Sequence, residues 1–397
     1  MLRQVLHMMP KHIISDDIVV IDSVLPHKNP IGPRNSDFLG LINKLPNFTY
    51  YTMYPMQPGP DAWFSHGYGM TLEQFSESLP VYLAIHPQAK DHLQHLSPNK
   101  KYRFKLAYTY FLSETYTLLP FLEKNQIPFV FLLNPGGAFG LNNHSSDAML
   151  ARVCSSLCFR KVIVNQRLFQ HYLIEKKLCN AADIIFDFSG SVQFVPRDVL
   201  PKRQFKRDKE HFDLCFVAAK YSEKGVDKGY DLFISAAKQL AKRNPDMRFH
   251  VVGGFDEYEI DVTDIKSSIT FYGYLPAASL PEFYSGMDIY VSPNRPFKLY
   301  EGNSDGFPLA AGAMYCGVAG FNADELLMNT EFAEDEIVII KTQTKDIVQK
   351  IQQYHDNLKA LYALSRKGQK KAQMLYDIDR HIDKRLALFR EIIETTR

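Results

Sequence analysis

The residues best placed to do chemistry in this chain are carboxylates and lysines set among glycines. Glu301 and Asp305 lie beside Gly302 and Gly306 in the stretch 298–318, KLYEGNSDGFPLAAGAMYCGV. This stretch follows a strand-like run, 288–293, and ends in small and apolar residues that read as a buried helix. Pro308 stands where a first helical turn accepts proline. Strand, acidic glycine loop and helix N-terminus together suit a phosphorylated, polyhydroxylated ligand such as a nucleotide sugar. Free backbone N–H groups and the helix dipole face the phosphates, while carboxylates accept sugar hydroxyls.

A second cluster is cationic. Lys220, Lys224 and Lys228 fall in the loop that feeds an amphipathic helix at 230–243. Cations at a helix N-terminus oppose its dipole, and an anion bound among them resolves the conflict. A diphosphate leaving group needs such charge, because negative charge grows on it as its bond to sugar breaks. A third cluster is Gly136, Gly137 and Gly140, directly after the apolar strand 127–133. Glycines at the carboxyl end of a buried strand let the backbone approach a ligand and form an anion-accepting nest. The spacing is not that of a dinucleotide fingerprint.

The elements that must position these loops alternate strand and helix. Strands are read at 18–21, 48–54, 80–86, 127–133, 161–164 and 184–186, with helices at 38–45, 104–122, 146–157 and 166–177 and a further one opening at Gln88. A charged, proline-bearing segment, 196–211, reads as a domain boundary. A second set follows, with strands at 214–219, 248–253, 269–273, 288–292 and 337–340 and helices at 230–243, 280–285, 344–375 and 379–395. Such alternation implies parallel sheets with right-handed crossovers. The expectation is an α/β protein of two Rossmann-like domains facing across a cleft, 1–200 and 201–375, with 376–397 as a helix crossing back to the first domain. The loop 58–69, with the lone Trp63, reads as cleft lining or core cover.

Composition narrows the classes. A length of 397 residues, 46% of them hydrophobic, allows two sizeable cores. A net charge of +2 gives no reason to expect nucleic acid as a partner. The basic run 202–209 reads as a solvated linker or as a contact with anionic lipid or substrate. Five scattered cysteines suit a reducing compartment, and no N-terminal signal pattern or long apolar run is seen, so a cytoplasmic location is expected, with contact at the inner membrane face. His86, His92 and His95 have no carboxylate or cysteine at ligand spacing and read as satisfied or solvated side chains. Asp377 and Asp379 form the one obvious DxD, but it sits beside the last helix and reads as capping. No metal and no cofactor are expected.

The segments 216–231 (FVAAKYSEKGVDKGYD), 249–253, 271–273 and 305–318 resemble the donor domain of GT-B glycosyltransferases, in particular the large retaining group that contains the sucrose and glycogen synthase relatives. The likeness covers 206–390 and extends more loosely to the first half through 134–140. It implies that Lys220 and Lys228 grip the diphosphate and that the segment 272–275, with Tyr274 and Leu275, reads the base through its backbone. It also implies that the backbone at Gly306, Phe307, Pro308 and Leu309 lines the donor, and that Gly136, Gly137 and Gly140 form the acceptor-side loop. Of the two carboxylates such enzymes use, Asp305 or Glu301 stands for the first, while Gly312 occupies the place of the second. The catalytic set implied is Asp305, Glu301 and Lys228.

The function implied is metal-independent, retaining transfer of a sugar from a nucleotide diphosphate to a hydroxyl acceptor, in assembly of a surface polysaccharide or glycolipid. An inverting reaction instead requires a base from the first domain, for which Glu114, Asp147, His66 and His144 are open candidates. A nucleotide-sugar epimerase of the same fold and an inactive sugar-nucleotide-binding relative are the competing readings.

Overall fold

The computed structural model describes residues 13–27, 34–59, 62–188, 199–304 and 311–395. The first sheet has seven strands in the order β3-β2-β1-β4-β5-β6-β7. These are β1 (Ile13–Asp22), β2 (Thr49–Thr52), β3 (Leu93–His95), β4 (Lys101–Tyr110), β5 (Phe129–Leu133), β6 (Phe159–Val164) and β7 (Ile184–Phe186). Its helices are α1 (Arg34–Lys44), α2 (Leu72–Ile85), α3 (Leu112–Asn125), α4 (His144–Cys154) and α5 (Arg167–Glu175). The second sheet has six strands in the order β10-β9-β8-β11-β12-β13. They are β8 (Phe212–Val217), β9 (Met247–Val252), β10 (Ile269–Phe271), β11 (Ile289–Ser292), β12 (Ala319–Ala323) and β13 (Val338–Ile340). Around it lie α6 (Tyr230–Ala241), α7 (Leu280–Gly286), α8 (Ala311–Tyr315), α9 (Thr344–His355) and α10 (Leu358–Leu375). The last helix is α11 (Ile378–Thr395).

Every ladder in both sheets is parallel. Both faces of each sheet are therefore covered by helices, which is why β5 (FVFLL) is apolar throughout and buried at every position. The α/β class expected from the alternation is found. So is the return of the last helix: α11 buries Ile382, Leu386 and Phe389 against the first domain. Arg385 of α11, fully buried, lies 2.5 Å from the Asp37 carboxylate and 3.7 Å from that of Asp187, with its guanidinium 5.1 Å from the centre of the Tyr108 ring. A buried guanidinium shared by two carboxylates is costly to break, because removal leaves uncompensated charge.

Several expected elements differ. Residues 80–86 are not a strand but the end of α2. Its start carries a capping box, with Thr71 accepting from the Gln74 N–H at 3.1 Å while the Gln74 side chain accepts from the Thr71 N–H at 2.8 Å. Residues 104–110, expected as the first part of a helix over 104–122, belong instead to β4: Lys101, Arg103 and Lys105 are exposed while Tyr102, Phe104 and Leu106 are buried, a period of two that belongs to a pleated strand. No helix opens at Gln88; a single 3-10 turn leads into β3. β12 (AGFNA) was not anticipated, since its small residues carry little strand propensity and only burial on both faces holds it. The helix expected over 344–375 is broken, because Asn357 caps a new start by accepting from the Ala360 N–H at 3.1 Å.

Candidate functional site at the meeting of the two sheets

Both sheets send their carboxyl-end loops to one place. After β8, the lysine loop turns at Gly229, whose φ of +71° is followed at once by α6. A side chain there would meet the Pro293 carbonyl at 2.1 Å, so glycine is required for the lysine loop to press on the end of β11. The Arg295 N–H then donates to the Asp227 carbonyl at 2.9 Å, and the Arg295 guanidinium bonds the Val226 carbonyl at 2.8 Å and the Asp231 carboxylate at 2.6 Å. Asp231 lies in the first turn of α6, where a carboxylate favours the helix dipole that the lysines oppose.

From Arg295 the chain runs through the acidic loop to the first domain. The Phe297 N–H donates to the Asn303 carbonyl at 2.7 Å, and the Leu141 N–H donates to the Gly302 carbonyl at 2.8 Å. Tyr300 Oη donates to the Phe139 carbonyl at 3.0 Å. Gly302, at φ +79°, comes so near that a side chain would meet the Leu141 carbonyl at 2.3 Å. The glycine loop 136–140, the acidic loop and the lysine loop are thus joined by a continuous path of backbone contacts. Trp63 belongs to the same junction: its indole N–H donates to the Ala138 carbonyl at 3.3 Å, and its ring centre is 5.4 Å from that of Tyr300.

The individual candidates are placed as follows. Lys220 is ion-paired with Glu259, and its N–H donates to Tyr274 Oη at 3.5 Å. Lys224 is exposed, at a φ of +53°. Lys228 is buried, its ammonium 5.2 Å from the centre of the Tyr221 ring. Tyr274 is exposed and Leu275 half-buried beyond β10. Glu301 is exposed, with its carbonyl within 3.5 Å of the Asn143 amide. Gly136 and Gly137 hold φ values of +88° and +53°, which frees the Gly137 carbonyl to accept from the Ser113 N–H at 2.9 Å. Asp305, Gly306, Phe307, Pro308 and Leu309 lie outside the described residues. Gly312 falls in α8 and brings no carboxylate.

Two features escaped the sequence reading. One is a set of buried polar atoms at the junction with no partner among the described residues: Asn134 Oδ1, both amide atoms of Asn303, and Ser304 Oγ. The other is a charge cluster at the carboxyl end of the first sheet. Asp22, ending β1, and Glu114, in the first turn of α3, share the Arg34 guanidinium, and Tyr50 Oη donates to Asp22 at 2.6 Å. Burial drives the Glu114 carboxyl well above its ordinary range against the opposing pull of Arg34, whereas Arg34 and Tyr50 hold Asp22 low despite its burial. Of the first-domain bases held open, Glu114 is therefore set up to keep a proton. Asp147 instead accepts from Tyr172 Oη at 2.6 Å, and His66 lies 2.9 Å from Tyr68 Oη. The three histidines after α2 go separate ways: His92 bonds the Phe48 carbonyl at 2.7 Å, His95 the Met70 carbonyl at 2.8 Å, and His86 contacts Asn35 at 3.4 Å.

Comparison with known proteins follows the same division of the chain. Residues 201–371 match the family described as glycosyl transferases group 1. Mannosylfructose-phosphate synthase of Agrobacterium fabrum is 32% identical over 83 residues, a match that spans 18% of this chain and 18% of that protein's length. The sucrose-phosphate synthase structure from Thermosynechococcus elongatus superposes with a TM-score of 0.66 at 15% identity, covering 96% of this chain and 100% of that one. Anabaena HepE in complex with UDP superposes with a TM-score of 0.63 at 12% identity, covering 94% and 100%. Residues 201–371 thus match the group 1 glycosyltransferases, and the whole chain shares its two-sheet fold with these two solved structures.

Proposed function

We propose that the protein transfers a sugar from a nucleotide diphosphate sugar to a hydroxyl of a glycan or glycolipid, without a metal and with retention of anomeric configuration. The observation that carries this reading is the unbroken contact path from the lysine loop, through 293–303, to the glycine loop of the other domain. It supports the reading in which the lysines of 220–228 take the diphosphate on one side of the junction and the loop 136–140 meets the acceptor on the other. Buried amide and hydroxyl atoms that have no partner among the described residues there cost about 1–3 kcal/mol each, which a hydroxyl-rich ligand can recover. HepE, which shares the fold, was solved with UDP, with UDP and glucose, and with UDP-glucose, which favours a uridine donor here as well.

In this mechanism Lys220, Lys224, Lys228 and the backbone N–H groups of Gly306, Phe307 and Leu309 neutralise the departing diphosphate, with Asp305 or Glu301 against the donor sugar. The acceptor approaches by Gly136, Gly137 and Gly140. Rate then comes from positioning and charge stabilisation, and closure of the two domains keeps water from the donor. Membrane contact, which a glycolipid acceptor requires, is supported by basic side chains of the second domain. There a groove of about 330 Å³ is lined by Lys206, Arg207, Lys359 and Arg366 around Phe205 and Tyr362. No helix among the described residues is long and apolar enough to cross a membrane.

The test is thermal stabilisation by UDP-, GDP-, ADP- and dTDP-sugars, followed by product analysis with the best of them, since a ligand that binds only the folded state raises Tm. One donor class should stabilise, and it should yield a glycoside only when an acceptor is present. Isomerised donor formed without acceptor would transfer the assignment to the epimerases, and binding without any product would leave a non-catalytic relative.

A further inference from the structure

One carboxylate beside the lysine loop is not used by the reading above. Glu259 lies in the loop that follows β9, where Asp256 Oδ1 accepts from the N–H groups of Tyr258 at 2.9 Å and Glu259 at 3.3 Å and so fixes the local turn. One of its oxygens holds Lys220; the other, Oε2, is buried with no partner among the described residues. The same loop touches the segment beyond β10. Gly253 N–H donates to the Gly273 carbonyl at 2.9 Å, and a side chain on Gly254 would meet Tyr274 Oη at 2.9 Å. Glu259 therefore stands in the corner between Lys220 and Tyr274.

A nucleoside diphosphate is built in a fixed order of base, ribose and diphosphate. If Lys220 takes the phosphates and the backbone at 273–275 takes the base, the ribose has to span the gap between them. Its two vicinal hydroxyls are donors, and an ionised carboxylate, with acceptor sites on both oxygens, is the side chain that receives such a pair. We propose that Glu259 recognises the ribose diol of the bound nucleotide, and that its contact with Lys220 is the resting state which the diphosphate displaces. The diphosphate carries more charge than one carboxylate and takes over the ammonium, which releases Glu259 toward the hydroxyls. This inference rests on the nucleotide-sugar reading: with no carboxylate at Gly312 in α8, the second one comes from the loop that follows β9.

The experiment titrates the full-length protein and its Glu259→Ala and Glu259→Gln variants by calorimetry. Three probes are used: whichever of UDP, GDP and ADP raises Tm most, its 2′,3′-dideoxy analogue, and inorganic pyrophosphate. Wild type should prefer the ribose form to the dideoxy form by at least about tenfold, the size of one hydrogen bond to a charged acceptor. Glu259→Ala should lose that preference while binding pyrophosphate as well as wild type or better, and retained pyrophosphate binding also reports a folded variant. Glu259→Gln should fall between the two. If Glu259→Ala keeps the wild-type preference, or loses pyrophosphate and nucleotide in equal proportion, Glu259 serves only to shape Lys220 and the inference is overturned. If wild type binds pyrophosphate and nucleotide without discriminating the dideoxy form, the inference alone falls. Failure of wild type to bind any of the probes removes the nucleotide-sugar reading and this inference with it.

Discussion

The lysine loop of the second domain and the Asp22–Arg34–Glu114 cluster of the first both gather charge at the carboxyl end of a parallel sheet. They differ in how that charge is satisfied. In the first domain, the Asp22 carboxylate and the Arg34 guanidinium neutralise each other in the interior beside a Glu114 that keeps its proton, with Asp22 fully buried and Glu114 4% exposed. In the second, Lys220 keeps 34% of its side chain exposed and has a single carboxylate partner, and Lys224 faces solvent. Charges that close on themselves away from water hold a fold together. Charges that stay at the water's edge with one exchangeable partner can be handed to a ligand, because little desolvation has been spent on them.

The largest effect that tests this contrast is Arg34→Ala. It leaves Asp22 buried without its cation, so chemical denaturation should show a loss of about 3–5 kcal/mol; a loss within the range of ordinary surface changes would place the cluster with the exchangeable charges instead. Lys228→Ala should weaken nucleotide-sugar binding about 10- to 100-fold, as read by calorimetry, the loss of one charge-assisted contact. Asp305→Ala should lower turnover by at least tenfold with a smaller change in binding of the bare nucleotide; equal activity in both lysine and aspartate variants would remove these residues from the site. The smallest effect sharpens the first-domain side. Folded Glu114 keeps a proton that the unfolded chain releases near its ordinary value, so wild type loses stability as pH rises above that value. Glu114→Gln removes this titration, and its Tm relative to wild type should climb between about pH 5 and about pH 8. A flat difference would mean that Glu114 is ionised in the folded protein.

Legibility in the sequence followed the same divide. The donor half carried local signals: the apolar strands 214–219 and 248–253, the lysine-glycine turn at 228–229 and the proline-bearing acidic loop each announce themselves within a few residues. The first half was harder. β4 opens with alternating charges and aromatics that a helical reading absorbed, and α2 shows only Phe75 and Tyr82 as buried anchors, too few to set a helical period against an apolar run such as PVYLAI. Glu114 was noticed as a carboxylate in a helix, but not its partners, because Asp22, Arg34 and Tyr50 lie on three other elements.

The sequence alone determined the two α/β halves, the loops rich in lysine, acid and glycine, and the helix that closes the chain, since each depends on propensities and periods read within one short window. Tertiary structure decided which loops meet. Gly229 against Pro293, Gly302 against Leu141, and Glu259 against Lys220 are contacts between residues far apart in the chain. Parallel strands order such residues in space by sheet position, and no local pattern encodes that order.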